Sequence, residues 1–181
     1  MTESVMIEYR LIREEELTKE LFKDFIRHQV VNDCWRREEG KWVIKPDPFI
    51  DDWTPQEYEF LVTCLQNTLR TGGFVYGAFS DGKLKGFTSV EAEIFGGENR
   101  YADLTCIHVS EDMRGMGIGR ELFQADRKWA KEHGAKKLYI SAHSAVETQA
   151  FYKKMGCAEA KEYRQEHVEQ EPYDCQLECE V

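Results

Sequence analysis

The stretch Arg114-Gly115-Met116-Gly117-Ile118-Gly119-Arg120 is the part of this chain best suited to hold a charged ligand. It follows an apolar run, Leu104 to Val109, and leads into a helical pattern of Ile118, Leu122, Phe123, Ala125 and Trp129. A strand, a glycine loop and a helix start therefore stand in series. The first backbone N–H groups of a helix have no partner within it, and the helix dipole places positive potential there. Glycine lets the main chain curl round a bound group without a side chain in the way. The arrangement suits a phosphate or pyrophosphate. A P-loop would need Lys and then Ser or Thr after the last glycine, where Arg120 and Glu121 stand. A dinucleotide fingerprint would need a third glycine at position 120. The spacing that remains is Arg114-x-x-Gly117-x-Gly119.

The elements that must position this loop can be read on either side of it. Val5, Ile7, Tyr9 and Leu11 alternate with more polar residues, the pattern of a first strand. Glu14-Glu15-Glu16 then opens an expected helix with an apolar stripe of Leu17, Leu21, Phe22, Phe25, Ile26 and Val30. The segment Asn32 to Trp53 breaks the pattern and reads as a loop, rich in aromatic and acidic residues and broken by Pro46 and Pro48. Thr54-Pro55-x-Glu57 is a capping box with proline at the first helical position, so a second helix runs to Gly72-Gly73. Strands follow at Phe74 to Phe79, Leu84 to Phe95 and Tyr101 to Val109, joined by turns at Ser80-Asp81-Gly82-Lys83 and Gly96-Gly97-Glu98-Asn99. After the glycine loop a helix runs to about His133, capped by Gly134, and Lys137 to Ala142 is a short buried strand. Ser144-x-x-Glu147 reads as a second capping box, opening a helix to Met155 with Gly156 beyond it. The tail from Tyr173 to Val181 alternates, with its acids expected to face solvent. The expected order is β α α β β β α β α β β, an α/β chain with a mixed sheet, in a single domain over residues 1–181.

Bulk composition narrows the function. The chain has 181 residues, 41% hydrophobic and 32% charged, enough for one domain with a real core. A net charge of −10 argues against nucleic acid as main partner, because neutralising phosphates needs a basic surface. It suits a cationic small substrate. No apolar run is long enough to span a bilayer. Met1-Thr2-Glu3-Ser4 lacks the basic and apolar parts of an export signal, so a cytoplasmic location is expected. Cys34, Cys64, Cys106, Cys157, Cys175 and Cys179 are scattered, with no Cys-x-x-Cys pair, and read as free thiols. Cys175, Cys179 and His167 do not have the spacing of a metal site, and no metal is expected.

A second motif makes a resemblance specific. Glu147-Thr148-Gln149-Ala150-Phe151-Tyr152-Lys153-Lys154-Met155-Gly156-Cys157 carries an aromatic-Tyr pair before a glycine. Together with Arg114-x-x-Gly117-x-Gly119 and the element order, it resembles the GCN5-related N-acetyltransferase (GNAT) family from end to end. The family often has Asn near position 145 and Phe after the glycine, where this chain has Ala145 and Cys157. The contact such an Asn would make to the cofactor arm is open to Ser144.

The resemblance implies direct transfer of an acetyl group from acetyl-CoA to a primary amine. The pyrophosphate would be held by backbone donors of Arg114, Gly115, Met116, Gly117, Ile118, Gly119 and Arg120. The pantetheine amides would pair with Ile107, His108 and Val109, where that strand splays from its neighbour, and an amide there could face the oxyanion. The leaving thiolate needs a proton, and the family places its acid at Tyr152. The amine, mostly protonated at neutral pH, needs a base. Asp103 ranks first, since some family members keep a base on this strand; Glu91 ranks next, and Glu93 and His108 are further options. Cys106 lies beside the expected site and reads as a small buried hydrophobe.

Three functions fit. The first is acetylation of a small cationic amine, favoured by the aromatic and acidic segment 32–53, since ring faces and carboxylates attract ammonium groups. The second is acetylation of a protein N-terminus or lysine. The third is a non-catalytic acetyl-CoA-binding module. A homodimer is implied only by analogy with the family.

Overall fold

The computed structural model describes residues 5–181. The tetrapeptide read above for its lack of an export signal lies outside the described residues. In chain order the elements are β1 (Ile7–Leu11), β2 (His28–Glu38), β3 (Lys41–Asp52), α1 (Pro55–Arg70), β4 (Phe74–Ser80), β5 (Lys83–Phe95), β6 (Tyr101–Val109), α2 (Ile118–Glu132), β7 (Lys137–Ala142), α3 (Val146–Lys154), β8 (Ala158–Glu159), α4 (Gln165–Gln170) and β9 (Cys175–Glu180). Seven strands form one mixed sheet in the order β1-β4-β5-β6-β7-β9-β8. The β6–β7 pair is parallel and the other neighbours are antiparallel.

Local chemistry explains the elements that were legible. At α1 the Thr54 Oγ1 accepts from the Glu57 backbone N–H at 3.2 Å, and the Glu57 carboxylate accepts from the Thr54 N–H at 3.0 Å. This is the reciprocal capping box. At the β4–β5 turn Asp81 and Gly82 both adopt positive φ, 55° and 75°, matching the turn to the strand twist. Both faces of the sheet are covered. Val75 packs with Leu17, Phe22, Phe25, Leu61, Leu65 and Phe87 under α1. Its neighbour Phe74 faces the other layer, with Phe123, Leu138 and Tyr152 from α2, β7 and α3. Phe123 is fully buried, so Phe123→Ala would cost about 3–5 kcal/mol of stability.

Four expectations give way. The helix expected from Glu14 is two 3₁₀ turns, Glu14–Glu16 and Lys19–Phe22, followed directly by β2. Leu17, Phe22 and Phe25 are buried as the stripe required, while Ile26 and Val30 are exposed. The apolar spacing was satisfied by a compact irregular chain rather than by helix. The segment 32–53 is no loop: β2 and β3 form a hairpin closed at Glu39-Gly40, both with positive φ. Pro46 pairs with Asp33 beside a register break between Val31 and Asp33, so the prolines fall at an irregularity of an edge strand. Ser144 caps nothing; the N-cap of α3 is Ala145, without a side-chain cap. Finally, the acids of the tail do not all face solvent. Glu178 of β9 is buried and accepts from Lys137 Nζ at 2.6 Å, Tyr101 Oη at 2.7 Å and the Lys161 N–H at 2.7 Å. Tyr101, Lys137 and the Lys161 backbone just after β8 enclose the Glu178 carboxylate that alternation alone assigned to water. α4 itself carries no sequence signal strong enough to have been expected.

Candidate active site

The sheet opens where the site lies. β6 and β7 pair only over Tyr101–Lys137, Ala102–Leu138 and Asp103–Tyr139. Beyond that point β6 keeps its partner β5 as far as Val109–Gly86. β7 keeps β9 on its other edge along its whole length, from Lys137–Glu180 to Ala142–Cys175. A cavity of about 1050 Å³ fills the gap. Leu104 to Val109 form one wall and Ile140 to His143 the other. Residues of the glycine loop, α3, the hairpin and the chain before β9 complete it.

The loop has the form that an anion requires. Gly115 and Gly117 both have φ of 81°, the left-handed region that favours glycine. A Cβ at either would meet no atom within 4 Å, so the space beside them is open. Gly117 is the N-cap of α2 and supplies no side-chain cap, leaving the first helical N–H groups free for a ligand. Gly119 has a different task. A Cβ there would come within 3.2 Å of the Phe151 ring, so the glycine lets α2 and α3 approach closely. Arg114 donates through Nη2 to the His28 carbonyl at 2.6 Å, tying the loop to the start of the hairpin. Arg114, Gly115, Gly117, Ile118, Gly119 and Arg120 line the cavity. Met116 is exposed and does not. Among the described residues this cradle, and the unpaired edge of β6 behind it, fit a diphosphate with an extended amide-bearing arm.

Ile107, His108 and Val109 also line the cavity. His108 packs against Trp53 at 4.7 Å and Phe87 at 5.6 Å between ring centroids. Burial, with Arg27 and Arg114 nearby, pushes its imidazole down to about 3, so it is neutral at physiological pH. Such a ring takes up a proton poorly. Cys106 lines the cavity too, and burial pushes its thiol up to about 12, far from a thiolate nucleophile. All six cysteines are free.

Tyr152 is 6% exposed and lines the cavity. Burial raises its phenol well above the ordinary value, and Cys157, Asp126, Cys106 and Asp174 add to the effect. The phenol is therefore fully protonated at neutral pH. Phe151 packs edge-on against Phe123, beside it.

The carboxylates expected to act as bases are elsewhere. Asp103 is 4% exposed but does not line the cavity; its Oδ2 is held by His167 Nε2 at 2.6 Å and Arg164 Nη1 at 3.5 Å. It sits where β6 and β7 are still paired, below the opening. His167, weighed above with Cys175 and Cys179, faces this carboxylate instead. Glu91 accepts from Thr68 Oγ1 at 2.6 Å, under α1, and is likewise outside the cavity. Glu93 is paired with Arg164 at 3.4 Å. Ser144 is also displaced: it is buried, its Oγ accepts from Arg36 Nη1 at 2.7 Å, and it does not line the cavity. The hairpin causes this, since Trp35 of β2 donates its N–H to the Ser144 carbonyl at 2.8 Å.

The cavity draws its acids from Asp51, in the acidic and aromatic segment 32–53, from Glu147 of the second motif, and from Glu171 and Asp174, where the sequence reading expected no site. Asp174 accepts from Ser141 Oγ at 3.0 Å, and burial raises its carboxyl above the usual range. Arg27 was missed as well; it hid within the apolar run read as a helix. For Asp174 the only available signal was its place at the foot of the last strand.

Comparison with known proteins agrees with this geometry. The model of the acetyltransferase (GNAT) family matches residues 15–157. No curated protein is matched significantly by the sequence. Among solved structures, one from Bacillus anthracis described as a streptothricin acetyltransferase, with acetyl coenzyme A bound, superposes with a TM-score of 0.71 at 15% identity, over 97% of this chain and 99% of that one. Nourseothricin acetyltransferase gives 0.65 at 18% identity over 95% of each chain. The PaiA N-acetyltransferase of Thermoplasma acidophilum, in complex with coenzyme A, gives 0.61 at 15% identity over 97% and 99%. At these identities the structures share the fold, and the family match extends from the first 3₁₀ turn to Cys157, just past α3. This chain belongs to the acetyltransferase (GNAT) family.

Proposed function

We propose that this enzyme transfers the acetyl group of acetyl-CoA to the primary amine of a small cationic molecule. One observation carries the reading: the protonated Tyr152 phenol, the uncapped N-terminus of α2 and the unpaired edge of β6 all border a single cavity. Backbone donors from Arg114 to Arg120 take the diphosphate, and Ile107 to Val109 receive the amides of the pantetheine arm. The amine attacks the thioester carbonyl, a tetrahedral oxyanion forms, and the C–S bond breaks. Tyr152 gives its proton to the departing thiolate.

The base is assigned to Asp174. It borders the cavity, its carboxyl is raised toward the working range by burial, and Ser141 Oγ orients it. It must be ionised to accept a proton, so the rate falls as pH drops through its raised value. A small acceptor is supported by the resemblance to enzymes named for nourseothricin and streptothricin. It is supported too by the way the β2–β3 hairpin, through Gln29, Val30 and Asp51, walls the cavity.

The test measures CoA release from acetyl-CoA across a panel of small amines, with Tyr152→Phe as control. Turnover that drops about 10²- to 10⁴-fold in the variant is expected for the loss of a general acid. Acetyl-CoA binding without turnover of any amine would favour a non-catalytic module, and equal rates in the variant would remove Tyr152 from the reaction.

A further inference from the structure

The cavity holds a buried cation whose donors are not used up. Arg27 lines it, and its side chain is only 8% exposed. Its Nη2 donates to Asp51 Oδ2 at 2.9 Å. Its Nε and Nη1 are buried and have no hydrogen-bond partner. The guanidinium lies over the Trp53 ring, 5.1 Å from its centroid, and that ring packs on His108. A guanidinium stays charged in any protein, so it cannot escape the cost of burial by losing a proton. Unused donors on a buried charge cost far more than an unused surface donor. Asp51 balances the charge but fills only part of the fork. The position is thus built for a second acceptor, and an anionic one fits best.

We propose that the acceptor is an amino-acid-like amine, one that carries a carboxylate as well as the amine to be acetylated, and that Arg27 binds that carboxylate. This rests on the acetyl-transfer reading and revises its substrate class, from any small cation to one whose ammonium group is joined to a carboxylate. Arg27 reaches the cavity from the α1 side of the sheet, through Trp53, which packs with Phe87 and Tyr58. Helix α2, at whose free N–H groups a diphosphate belongs, packs through Leu122 and Phe123 in the other layer, while Arg27 stands beside the base of the loop, where the Ile26 carbonyl accepts from the Glu111 N–H at 2.9 Å and the His28 carbonyl from Arg114 at 2.6 Å. Asp174 and Glu171 supply negative charge elsewhere on the cavity lining for the ammonium group. A molecule bearing both charges would satisfy the two sets of groups at once, whereas a bare polyamine would leave Arg27 Nε and Nη1 without acceptors and add repulsion.

The experiment compares matched pairs: amino acids against their decarboxylated amines and their methyl esters, at saturating acetyl-CoA. In the wild-type protein kcat/KM is expected to favour the carboxylate member by about tenfold to a hundredfold, the worth of a charge-assisted hydrogen bond. Arg27→Gln should collapse that ratio toward one through KM of the acceptor, and Arg27→Lys should keep part of it. Calorimetric titration of the same pairs into the CoA complex reads binding without turnover and should show the same preference. Equal use or binding of both members by the wild-type protein overturns the proposal while leaving acetyl transfer intact. An Arg27→Gln effect confined to KM for acetyl-CoA would assign the donors to a CoA phosphate and also overturn it. Absence of both binding and turnover for every amine would remove the acetyl-transfer reading together with this one.

Discussion

The two sides of the cavity are built on different principles. On one side stand the glycine loop and the start of α2, a continuous stretch whose free polar groups are main-chain N–H donors. Around the rest of the lining stand Arg27, Asp51, Trp53, Glu171 and Asp174, side chains from three separate parts of the chain. Main-chain donors at a helix start are set by local conformation, so any sequence with the right glycines presents them. Side-chain groups depend on how distant segments dock. The first side can therefore be common to a family that shares one cosubstrate, and the second is free to vary with the acceptor.

Perturbations on the two sides should separate kinetically. The largest expected effect is at their junction: Asp174→Asn should lower kcat by about 10²- to 10⁴-fold and remove the acidic limb of the pH–rate profile. An unchanged limb would move the base elsewhere. Next is the loop. Gly117→Val places a β-branched residue at a φ of 81°, and KM for acetyl-CoA should rise about tenfold or more, with preference among amines unaltered. A change of amine preference in that variant would blur the division. Ser144→Ala should leave KM for acetyl-CoA within about twofold, because its hydroxyl is occupied by Arg36, while stability falls by about 1 kcal/mol. A clear rise in KM would return Ser144 to the cofactor side.

The smallest effect concerns the displaced acid Asp103. Its hydrogen bond raises the His167 imidazole above the ordinary 6.5. That contribution is complete below the unfolded value and is lost as pH rises through the raised folded one. His167→Gln should thus cost about 1 kcal/mol near pH 6 and almost nothing near pH 9, measured by denaturant unfolding. A loss that is constant with pH would show that the pair contributes by packing alone.

Particular residues show where sequence reading stops. Gly115, Gly117 and Tyr152 were legible because each sits in a short motif whose conformation is decided within a few residues. The Thr54–Glu57 cap and the Asp81-Gly82 turn were legible for the same reason. Asp103 was misread because its strand position is right but its side chain falls where β6 and β7 are still paired, beside a helix, α4, without a strong local signal. Leu17, Phe22 and Phe25 were correctly read as buried and wrongly read as helical, since apolar spacing reports burial more faithfully than backbone form. The hairpin was hidden by Pro46 and Pro48, which an edge strand tolerates beside an irregular register.

Sequence alone thus determined the order of the central elements, the glycine loop at the head of α2 and the place of Tyr152 on α3, because caps, turns and glycine conformations are short-range physics. Only the tertiary structure decided which charges border the cavity. Arg27 and Asp174 lie 147 positions apart and come to one cavity because β6 and β7 part after three pairs, with the hairpin and the β9 segment closing over the gap. That separation of strands depends on packing across the whole sheet, which no window of residues records.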